Sequence, residues 1–221
     1  MCGRYVLIAD PNLIQQEFNL SGVLEIGGQR YNIAPTQTLP VITNEKPGEI
    51  SYLRWGLVPS WSKDPSIGAK MNNARSETAA EKPSFRTPFR RRRCLIPASG
   101  FYEWQQRENG KAPMFISLKD REVFAMAGLW DIWTSPEGQE LRTFSVLTTD
   151  ANEFMQPIHD RMPVILRRED YGLWLSDNVA VPKLQSLMRG YDPKLMTAYE
   201  VSKAVNKAGM DTPECIVPLA S

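Results

Sequence analysis

Four segments rich in Tyr, Phe, Trp and Val follow one another between residues 94 and 148, and they constrain the fold more than any other feature. Residues 108–111 (Glu-Asn-Gly-Lys) and 119–121 (Lys-Asp-Arg) separate neighbouring segments and have the composition of hairpin turns. Short turns of this kind join antiparallel strands. We therefore predict a largely antiparallel sheet with strands at residues 51–57, 94–104, 114–118, 123–133 and 143–148.

Short helices are predicted around this sheet. Asp10 and Pro11 suit the N-cap and first position of a helix through Phe18, with Leu13 and Ile14 on the same apolar face. A strand is predicted at residues 5–8, and further helices at residues 76–80, 168–176 and 183–189. The 17 prolines and 14 glycines are scattered, without a linker or repeat. We predict one α+β domain over residues 1–221, with a curled, barrel-like sheet flanked by short helices.

The charges of the chain are nearly balanced, with 26 Lys and Arg against 25 Asp and Glu and a formal charge of +1. This excludes attraction of nucleic acid by a field spread over the whole molecule, so such a partner needs a local basic groove. The strong local bias is Arg86 followed by four arginines at residues 90–93. This run fits either part of a groove or a solvated strand entrance.

Composition also excludes several other classes. No apolar run approaches the ~20 residues of a membrane span, and the N-terminus lacks the pattern of a signal peptide, so we expect a cytoplasmic protein. The three cysteines, Cys2, Cys94 and Cys215, are an odd number without CxxC spacing. This argues against both a disulfide framework and a zinc site.

Cys2 is the candidate residue with the greatest capacity for nucleophilic chemistry. Initiator methionine is normally removed before a small side chain, which would make Cys2 the N-terminal residue. An N-terminal cysteine has an amine and a thiol on adjacent carbons, and a terminal amine with a pKa of about 7.7–8.0 is partly neutral at physiological pH. The alternative is an inert, frayed terminus. The strand predicted at residues 5–8 disfavours that alternative, because it tethers the chain close to Cys2.

His159 is the only histidine, and prolines at positions 157 and 163 flank it. The prolines favour an extended segment, in which His159 and Arg161 point to one side and Asp160 to the other. A proton-transfer group beside a fixed cation suits a phosphate or leaving-group site. A lone surface histidine is the alternative.

Glu103 stands among Phe101, Tyr102 and Trp104 near the end of a predicted strand. A carboxylate in apolar surroundings needs a partner or acquires a raised pKa, which makes it a candidate general acid or base. The alternative is an edge-strand glutamate that reaches water past Trp104.

Asn73 and Arg75 precede a predicted helix that Ser76 could cap, and in an extended segment they share a face. An amide and a guanidinium together suit an oxygen-rich ligand such as a sugar-phosphate. Pro35 and Trp61 stand in loop-like contexts, where they could pack in the core or stack on nucleobases.

Most of these candidate residues lie in six distinctive stretches of sequence, and Trp61 follows one of them by two residues. The stretches are residues 1–5 (MCGRY), 31–36 (YNIAPT), 55–59 (WGLVP), 73–78 (NARSET), 94–104 (CLIPASGFYEW) and 157–163 (PIHDRMP). In this order they resemble the SRAP domain family, the SOS response-associated peptidase group that includes abasic-site DNA–protein crosslinking proteins. The resemblance continues to residues 201–206, so it covers nearly the whole chain.

The resemblance implies a protein that binds single-stranded DNA, or a single-strand/duplex junction, and crosslinks to abasic sites through a thiazolidine on Cys2. It places the catalytic residues at Cys2, Asn73, Glu103 and His159. It places DNA contacts at Gly3, Arg4, Pro35, Trp61, Arg75 and Arg161, with Pro35 and Trp61 as a wedge beside the lesion. It implies no metal, no organic cofactor and no membrane. We expect a monomer that joins the nucleoid when bound to DNA and whose short C-terminus offers no partner-binding tail.

Two other classes of function stay open at this point. Class II glutamine amidotransferases also begin with a free cysteine followed by glycine. The family's peptidase description implies a thiol hydrolase, or an autopeptidase that exposes Cys2 itself. A non-catalytic single-strand binder is the third hypothesis. Of the three, only the crosslinking protein gives a covalent band with abasic DNA in the absence of a reductant.

Overall fold

The computed structural model describes residues 2–21 and 27–219. Its strands are β1 (Tyr5–Leu7), β2 (Arg30–Ile33), β3 (Thr38–Thr43), β4 (Ser51–Trp55), β5 (Asn73–Arg75), β6 (Arg93–Ala98), β7 (Gly100–Arg107), β8 (Gly110–Leu118), β9 (Phe124–Thr134), β10 (Glu140–Asp150), β11 (Arg161–Pro163), β12 (Ile165–Leu166) and β13 (Met196–Glu200). Its α-helices are α1 (Pro11–Phe18), α2 (Ser76–Ala79), α3 (Arg86–Arg91), α4 (Tyr171–Leu175) and α5 (Val181–Leu187). Short 3₁₀ helices lie at Pro65–Lys70, Arg168–Asp170, Pro193–Leu195, Lys203–Asn206 and Pro213–Ile216.

Five strands close into a barrel. β10 pairs with β4, β4 with β3, β3 with β6, β6 with β9, and β9 pairs back with β10. All these pairings are antiparallel except β4–β10, where Thr143 lies beside Arg54. β5 also joins β10 in parallel, which puts Asn73 beside Val146. The closed ring confirms the expectation of a curled, barrel-like and largely antiparallel sheet with short helices around it.

A second, five-stranded antiparallel sheet has the order β13–β8–β7–β1–β2. The single strand predicted for residues 94–104 is wrong, because the chain passes from β6 of the barrel to β7 of this sheet at Ser99. The Ser99 N–H donates to the carbonyl of Val6 at 2.7 Å, and its Oγ accepts from the N–H groups of Ile8 and Ala9. These three bonds fix the bend and attach it to the segment that leaves β1.

Three aromatic rings join the second sheet to the barrel. Trp55 stacks on Phe144 with ring centroids 6.2 Å apart, and Tyr5 meets Trp55 edge-on at 5.3 Å. All three side chains are fully buried. Because Tyr5 belongs to β1 and the other two to barrel strands, this contact fixes the first strand, and the residues just before it, on the barrel.

The first helix follows its prediction at the cap and departs from it on one face. Asp10 accepts a hydrogen bond from the Asn12 N–H at 2.8 Å, which is the capping contact expected of it. Ile14 and Phe18 are buried, whereas Leu13 is exposed. The apolar face is narrower than predicted, because this helix of eight residues packs only one edge on the core.

The other helices also differ in detail from their predictions. In α2, Arg75 occupies the N-cap position and Ser76 is the first helical residue, so the prediction that Ser76 caps this helix is wrong. The helix predicted at residues 168–176 divides into the 3₁₀ helix at Arg168–Asp170 and α4, and the helix predicted at residues 183–189 is α5 (Val181–Leu187).

The arginine-rich segment forms α3, Arg92 and the first residue of β6, so the run leads into a strand, as one of its two interpretations has it. Arg90 and Arg91 are exposed and stay candidates for a basic groove, whereas Arg93 does not. Arg93 is fully buried, and its guanidinium donates to the main-chain carbonyls of Phe89, Arg90, Trp174 and Ser176. These carbonyls lie at the C-terminal ends of α3 and α4, where cations are stabilising. Arg93 therefore caps two helices and is closed to solvent.

Candidate functional site

Four separate elements supply the candidate catalytic residues. Cys2 precedes β1, Asn73 begins β5, Glu103 lies in β7 and His159 precedes β11. In the antiparallel β1–β7 pairing the Tyr102 N–H donates to the carbonyl of Arg4, so the next pair along places Gly3 beside Glu103. Glu103 is also close enough to Cys2 for its charge to act on the thiol.

Cys2 is fully buried and is held by Asn73. The Asn73 Nδ2 donates to the carbonyl of Cys2 at 2.8 Å, and the buried Asn73 Oδ1 has no hydrogen-bond partner within residues 2–21 and 27–219. Burial raises the pKa of the Cys2 thiol well above its usual value, and the charge of Glu103 raises it further. The sulfur is therefore a neutral thiol at physiological pH.

Glu103 is 2% exposed, and this burial raises the pKa of its carboxyl to about 7. The raised pKa agrees with the prediction for a carboxyl set among aromatic side chains. At neutral pH a substantial fraction of this group is protonated and a substantial fraction is ionised. Glu103 can therefore both donate and accept a proton without a large energetic cost.

His159 faces Glu103, with its Nε2 lying 3.9 Å from Glu103 Oε2. Its Nδ1 accepts a hydrogen bond from the Arg161 N–H at 3.0 Å, and Asp160 Oδ1 lies 2.8 Å from the same nitrogen. Burial lowers the pKa of His159, so the imidazole is mainly neutral at physiological pH. The Arg161 N–H donates to an unprotonated Nδ1, whereas the Asp160 carboxylate would accept from a protonated one, and in either tautomer Nε2 is the nitrogen that faces Glu103.

The segment before His159 is folded, and the prediction of an extended segment is wrong for it. Residues 153–158 form turns, and the His159 N–H donates to the carbonyl of Met155 at 2.9 Å. Pro157 is compatible with this turn because its fixed φ suits it and no N–H is needed there. Gln105 of β7 donates to the Pro157 carbonyl at 3.0 Å and so ties the segment to the strand that carries Glu103.

The guanidinium of Arg161 is hydrogen-bonded to other groups of the protein. Its guanidinium donates to both carboxylate oxygens of Glu77 at 2.9 Å, to Asp150 at 2.5 Å and to the carbonyl of Thr148 at 2.7 Å. The residue is 9% exposed. These contacts join β11, β10 and α2, so Arg161 stabilises the packing of these elements. Because its guanidinium is already paired, this geometry disfavours a direct phosphate contact by Arg161.

Arg4 is also engaged inside the protein. Its guanidinium donates to Asn32 Oδ1 at 2.9 Å and to the carbonyls of Val205 and Asn206 at 2.6 and 3.3 Å. The side chain thus attaches the 3₁₀ helix Lys203–Asn206 to the two strands β1 and β2. As with Arg161, this geometry disfavours the predicted contact with DNA phosphate.

Arg75, Trp61 and Pro35 are differently placed. Arg75 is exposed, and its side chain makes no hydrogen bond within the described part of the chain. Ala74, buried on the other face of β5, shows that Arg75 points to the same side as Asn73. The side chain of Trp61 is 60% exposed in a turn, which excludes the core-packing alternative for it. Pro35 is half-buried just after β2.

Sequence reasoning missed three residues that support this region. Asp131 is buried in β9 and accepts from Ser60, while Glu77 holds Arg161 and Gln105 holds the segment before His159. Asp131 stands between Trp130 and Ile132, so the signal that singled out Glu103, a carboxylate in an apolar strand, applied equally to it. Glu77 and Gln105 had no comparable local signal.

Two kinds of feature are absent from the residues that the structure describes. No group of three or more His, Cys, Asp or Glu side chains there could hold a metal ion. No helix in the same residues is long and apolar enough to cross a membrane.

The site is centred on a buried cysteine that Asn73 holds and that lies close to the Glu103–His159 pair. Such a site on a barrel with an attached sheet defines the class of protein. The chain belongs to the SOS response associated peptidase (SRAP) family, whose model matches residues 1–208. The family resemblance inferred from the sequence is thereby confirmed.

Relatives match along most of the chain. The abasic site processing protein YoqW of Bacillus subtilis (strain 168) is 46% identical over 221 residues, which cover 98% of this chain and 99% of that protein. The abasic site processing protein HMCES of Gallus gallus is 36% identical over 222 residues, which cover 86% of this chain and 66% of that protein. A crystal structure of a Bacteroides thetaiotaomicron protein matches with a TM-score of 0.88 at 28% identity, covering 99% of this chain and 100% of the other.

Proposed function

We propose that this protein binds single-stranded DNA, or a single-strand/duplex junction, and crosslinks covalently to abasic sites through Cys2 once Met1 has been removed. The observation that carries the proposal is the position of Glu103, a buried carboxyl with a pKa of about 7, beside Cys2 and 3.9 Å from His159. The names of the relatives from Bacillus subtilis and Gallus gallus supply the target, an abasic site in DNA.

The proposed reaction uses both nucleophiles of Cys2. An abasic deoxyribose opens to an aldehyde, and the Cys2 amine adds to its C1′ and loses water to form an imine. The thiol then adds across the carbon–nitrogen double bond, and its proton passes to the nitrogen. The product is a five-membered thiazolidine ring, and one water is released overall. A lysine forms the imine but cannot close this ring.

Glu103 is suited to move the protons of this sequence. With a pKa of about 7 it can protonate the leaving hydroxyl during imine formation and accept the proton of the buried Cys2 thiol during ring closure. His159 stands too far from Glu103 for a direct hydrogen bond, so a sugar oxygen between them would contact both. The Nε2–H of His159 would donate to that oxygen while the ring opens.

Asn73 is assigned the role of orienting Cys2. Its Nδ2 already holds the Cys2 carbonyl at 2.8 Å, and its buried Oδ1 is available to accept from the amine that Met1 removal exposes. An amine held in this way keeps its lone pair directed at the aldehyde carbon.

The DNA contacts in the proposal fall mainly on exposed groups. Arg75 lies on the same side of β5 as Asn73 and is open to a phosphate, while Trp61 and Pro35 can meet the end of a duplex. Gly3 is only half-buried beside Glu103, which leaves room for the sugar at the reacting residue. Arg4 and Arg161 enter the proposal as supports of the site and not as phosphate ligands.

The thiol hydrolase alternative has less support in this geometry. A hydrolase of that kind attacks with a thiolate, and burial with the nearby Glu103 charge raises the pKa of the Cys2 thiol. The crosslinking reaction instead begins with the amine. It needs the thiol only in the later ring closure, where Glu103 can accept the proton of the thiol.

The test is incubation of the purified protein with an oligonucleotide that contains one abasic site, without reductant, followed by a denaturing gel and intact-mass measurement. We expect a heat-stable band whose mass is that of the protein lacking Met1 plus the DNA strand minus one water. The same strand without the lesion, and a protein with a verified N-terminal extension, are the controls. No adduct on abasic DNA, or an equal adduct from the extended protein, contradicts the proposal.

A further inference from the structure

A main-chain hydrogen bond closes the turn that carries Trp61, although the indole of Trp61 is exposed. The Ser62 N–H donates to the carbonyl of Pro59 at 2.9 Å, which closes a β-turn with Ser60 and Trp61 at its centre. The Trp61 side chain is 60% exposed, the largest exposure among the big apolar side chains of the described residues.

Two side chains of barrel strand β9 form hydrogen bonds to the main chain of this turn. Asp131 Oδ2 accepts from the Ser60 N–H at 3.0 Å, and Trp133 Nε1 donates to the Ser62 carbonyl at 2.7 Å. Asp131 and Trp133 are two residues apart on one strand, so they point to the same face, and both are buried. The residues immediately before and after Trp61 are therefore both fixed to the barrel.

Asp131 is itself held in place by Arg92. The Arg92 guanidinium forms an ion pair with Asp131 Oδ1, and the Ile132 N–H donates to the same oxygen at 2.9 Å. This pairing offsets the cost of burying the Asp131 charge. It also gives a role to one member of the arginine run that the proposed chemistry does not use.

We propose that Asp131, Trp133 and Arg92 are positioning residues, which hold Trp61 outward so that it stacks on the terminal base pair of a single-strand/duplex junction. This inference rests on the proposed function, since it takes DNA as the ligand. An indole on a loose loop would fold onto the protein surface and would lose conformational freedom on binding, whereas a fixed turn presents it already ordered. Stacking tolerates any base, so the contact reads the end of a duplex and not its sequence.

The experiment compares two matched substitutions in β9. Trp133→Phe removes the indole N–H that binds Ser62. Trp130→Phe removes an indole N–H that binds Asn44 Oδ1 at 3.1 Å and keeps an aromatic ring beneath the Arg92 guanidinium, so it leaves the contacts of the turn in place. The measurement is the ratio of affinities for an undamaged junction and an undamaged single strand of equal charge, by fluorescence anisotropy, together with the melting temperature.

We expect Trp61→Ala to lower the junction preference about tenfold, on the order of one lost base–aromatic stack, and Trp133→Phe to lower it about threefold. Trp130→Phe keeps the wild-type ratio even where its melting temperature falls as far. In a Trp61→Ala background, Trp133→Phe has no further effect on the ratio, because Trp133 acts through Trp61.

Failure of this inference is distinct from failure of the proposed function. A wild-type ratio for Trp133→Phe, equal losses for Trp133→Phe and Trp130→Phe, or an undiminished loss in the Trp61→Ala background overturns the positioning role. A wild-type protein without any junction preference also overturns it. The crosslinking assay on single-stranded abasic DNA, which needs no stacking on a duplex end, tests the proposed function separately.

Discussion

Nε2 of His159 lies 3.9 Å from Oε2 of Glu103, and the two groups belong to elements that only the folded chain brings together. Burial shifts their pKa values in opposite directions, raising that of Glu103 to about 7 and lowering that of His159. Both shifts favour the uncharged form of the pair near neutral pH. A protonated carboxyl and a neutral imidazole are the forms needed to donate protons to a sugar oxygen without a fixed charge in the site.

Glu103→Gln is expected to slow crosslink formation by about 10²–10⁴-fold at saturating DNA, because the amide keeps the shape of the side chain and cannot transfer a proton. The measurement is the rate of adduct formation on a denaturing gel, with DNA affinity determined alongside. Affinity should stay close to wild type, since Glu103 is buried and has no positive charge with which to bind a phosphate.

The pH profile separates this role from a structural one. The wild-type rate should show an inflection near pH 7 from Glu103, overlapping that of the terminal amine at about 7.7–8.0. Glu103→Gln should retain the amine inflection and lose the other. Glu108→Gln, in the exposed turn between β7 and β8, is the matched control and should behave as wild type. Equal rates and profiles for Glu103→Gln and wild type would reduce Glu103 to packing.

Glu103 should also make the fold less stable as pH rises. Its folded pKa of about 7 lies above the unfolded value of about 4.3, so the folded state binds more protons between these pH values. Stability therefore falls as pH increases through this window, by up to about 4 kcal/mol, and the loss is complete above about pH 7. Urea unfolding of wild type and Glu103→Gln at pH 5 and about pH 8 measures the difference. The variant should become the more stable of the two at the higher pH, and parallel curves would contradict the raised pKa.

Cys2→Ala is expected to abolish the heat-stable crosslink and to leave DNA affinity nearly unchanged. The α-amine survives, so a transient imine should still be trapped by borohydride, whereas the ring cannot close without the thiol. Cys215→Ala, which removes another fully buried thiol, is the control and should crosslink normally. A heat-stable adduct from Cys2→Ala at the wild-type level would exclude the thiazolidine.

Local sequence signals account for much of this fold. Aromatic and β-branched segments with Asn-Gly-type turns were enough to place β8, β9 and β10, and the Asp10-Pro11 pair was enough to start α1. The closure of the barrel had no such signal, because it depends on the parallel contact of β4 with β10, which are far apart in the chain. The break at Ser99 was equally hidden, since the residues on both sides of it favour strands.

The candidate site divides along the same line. The types and surroundings of Cys2 and Glu103 indicated reactive groups before their positions were known, and the structure gives each a perturbed pKa. The partners of Arg161 could not be foreseen. Its interaction with Glu77 spans 84 positions in the sequence, and an arginine that binds a carboxylate looks the same in sequence as one that awaits a phosphate.

Arg75 and Arg161 should therefore respond differently to substitution by alanine. Arg75 is exposed and open to a phosphate, so Arg75→Ala should lower affinity for all single strands. Each phosphate contact contributes about −0.7 to the log–log dependence of affinity on salt, and the slope should become shallower by about that amount. Crosslinking should recover in part at saturating DNA, because Cys2 and Glu103 remain.

Arg161→Ala should leave the salt slope unchanged and instead lower the free energy of unfolding by about 2 kcal/mol, since it removes several hydrogen bonds between charged groups. It should also slow crosslinking at saturating DNA, because the Arg161 backbone that orients His159 loses its anchor to Glu77. Fluorescence anisotropy on a lesion-free strand titrated with KCl, and urea unfolding of both variants, measure these effects. A shallower slope for Arg161→Ala at wild-type stability would mean that Arg161 leaves Glu77 to bind DNA, and a wild-type slope for Arg75→Ala would move the phosphate contacts to other exposed cations such as Arg90 and Arg91.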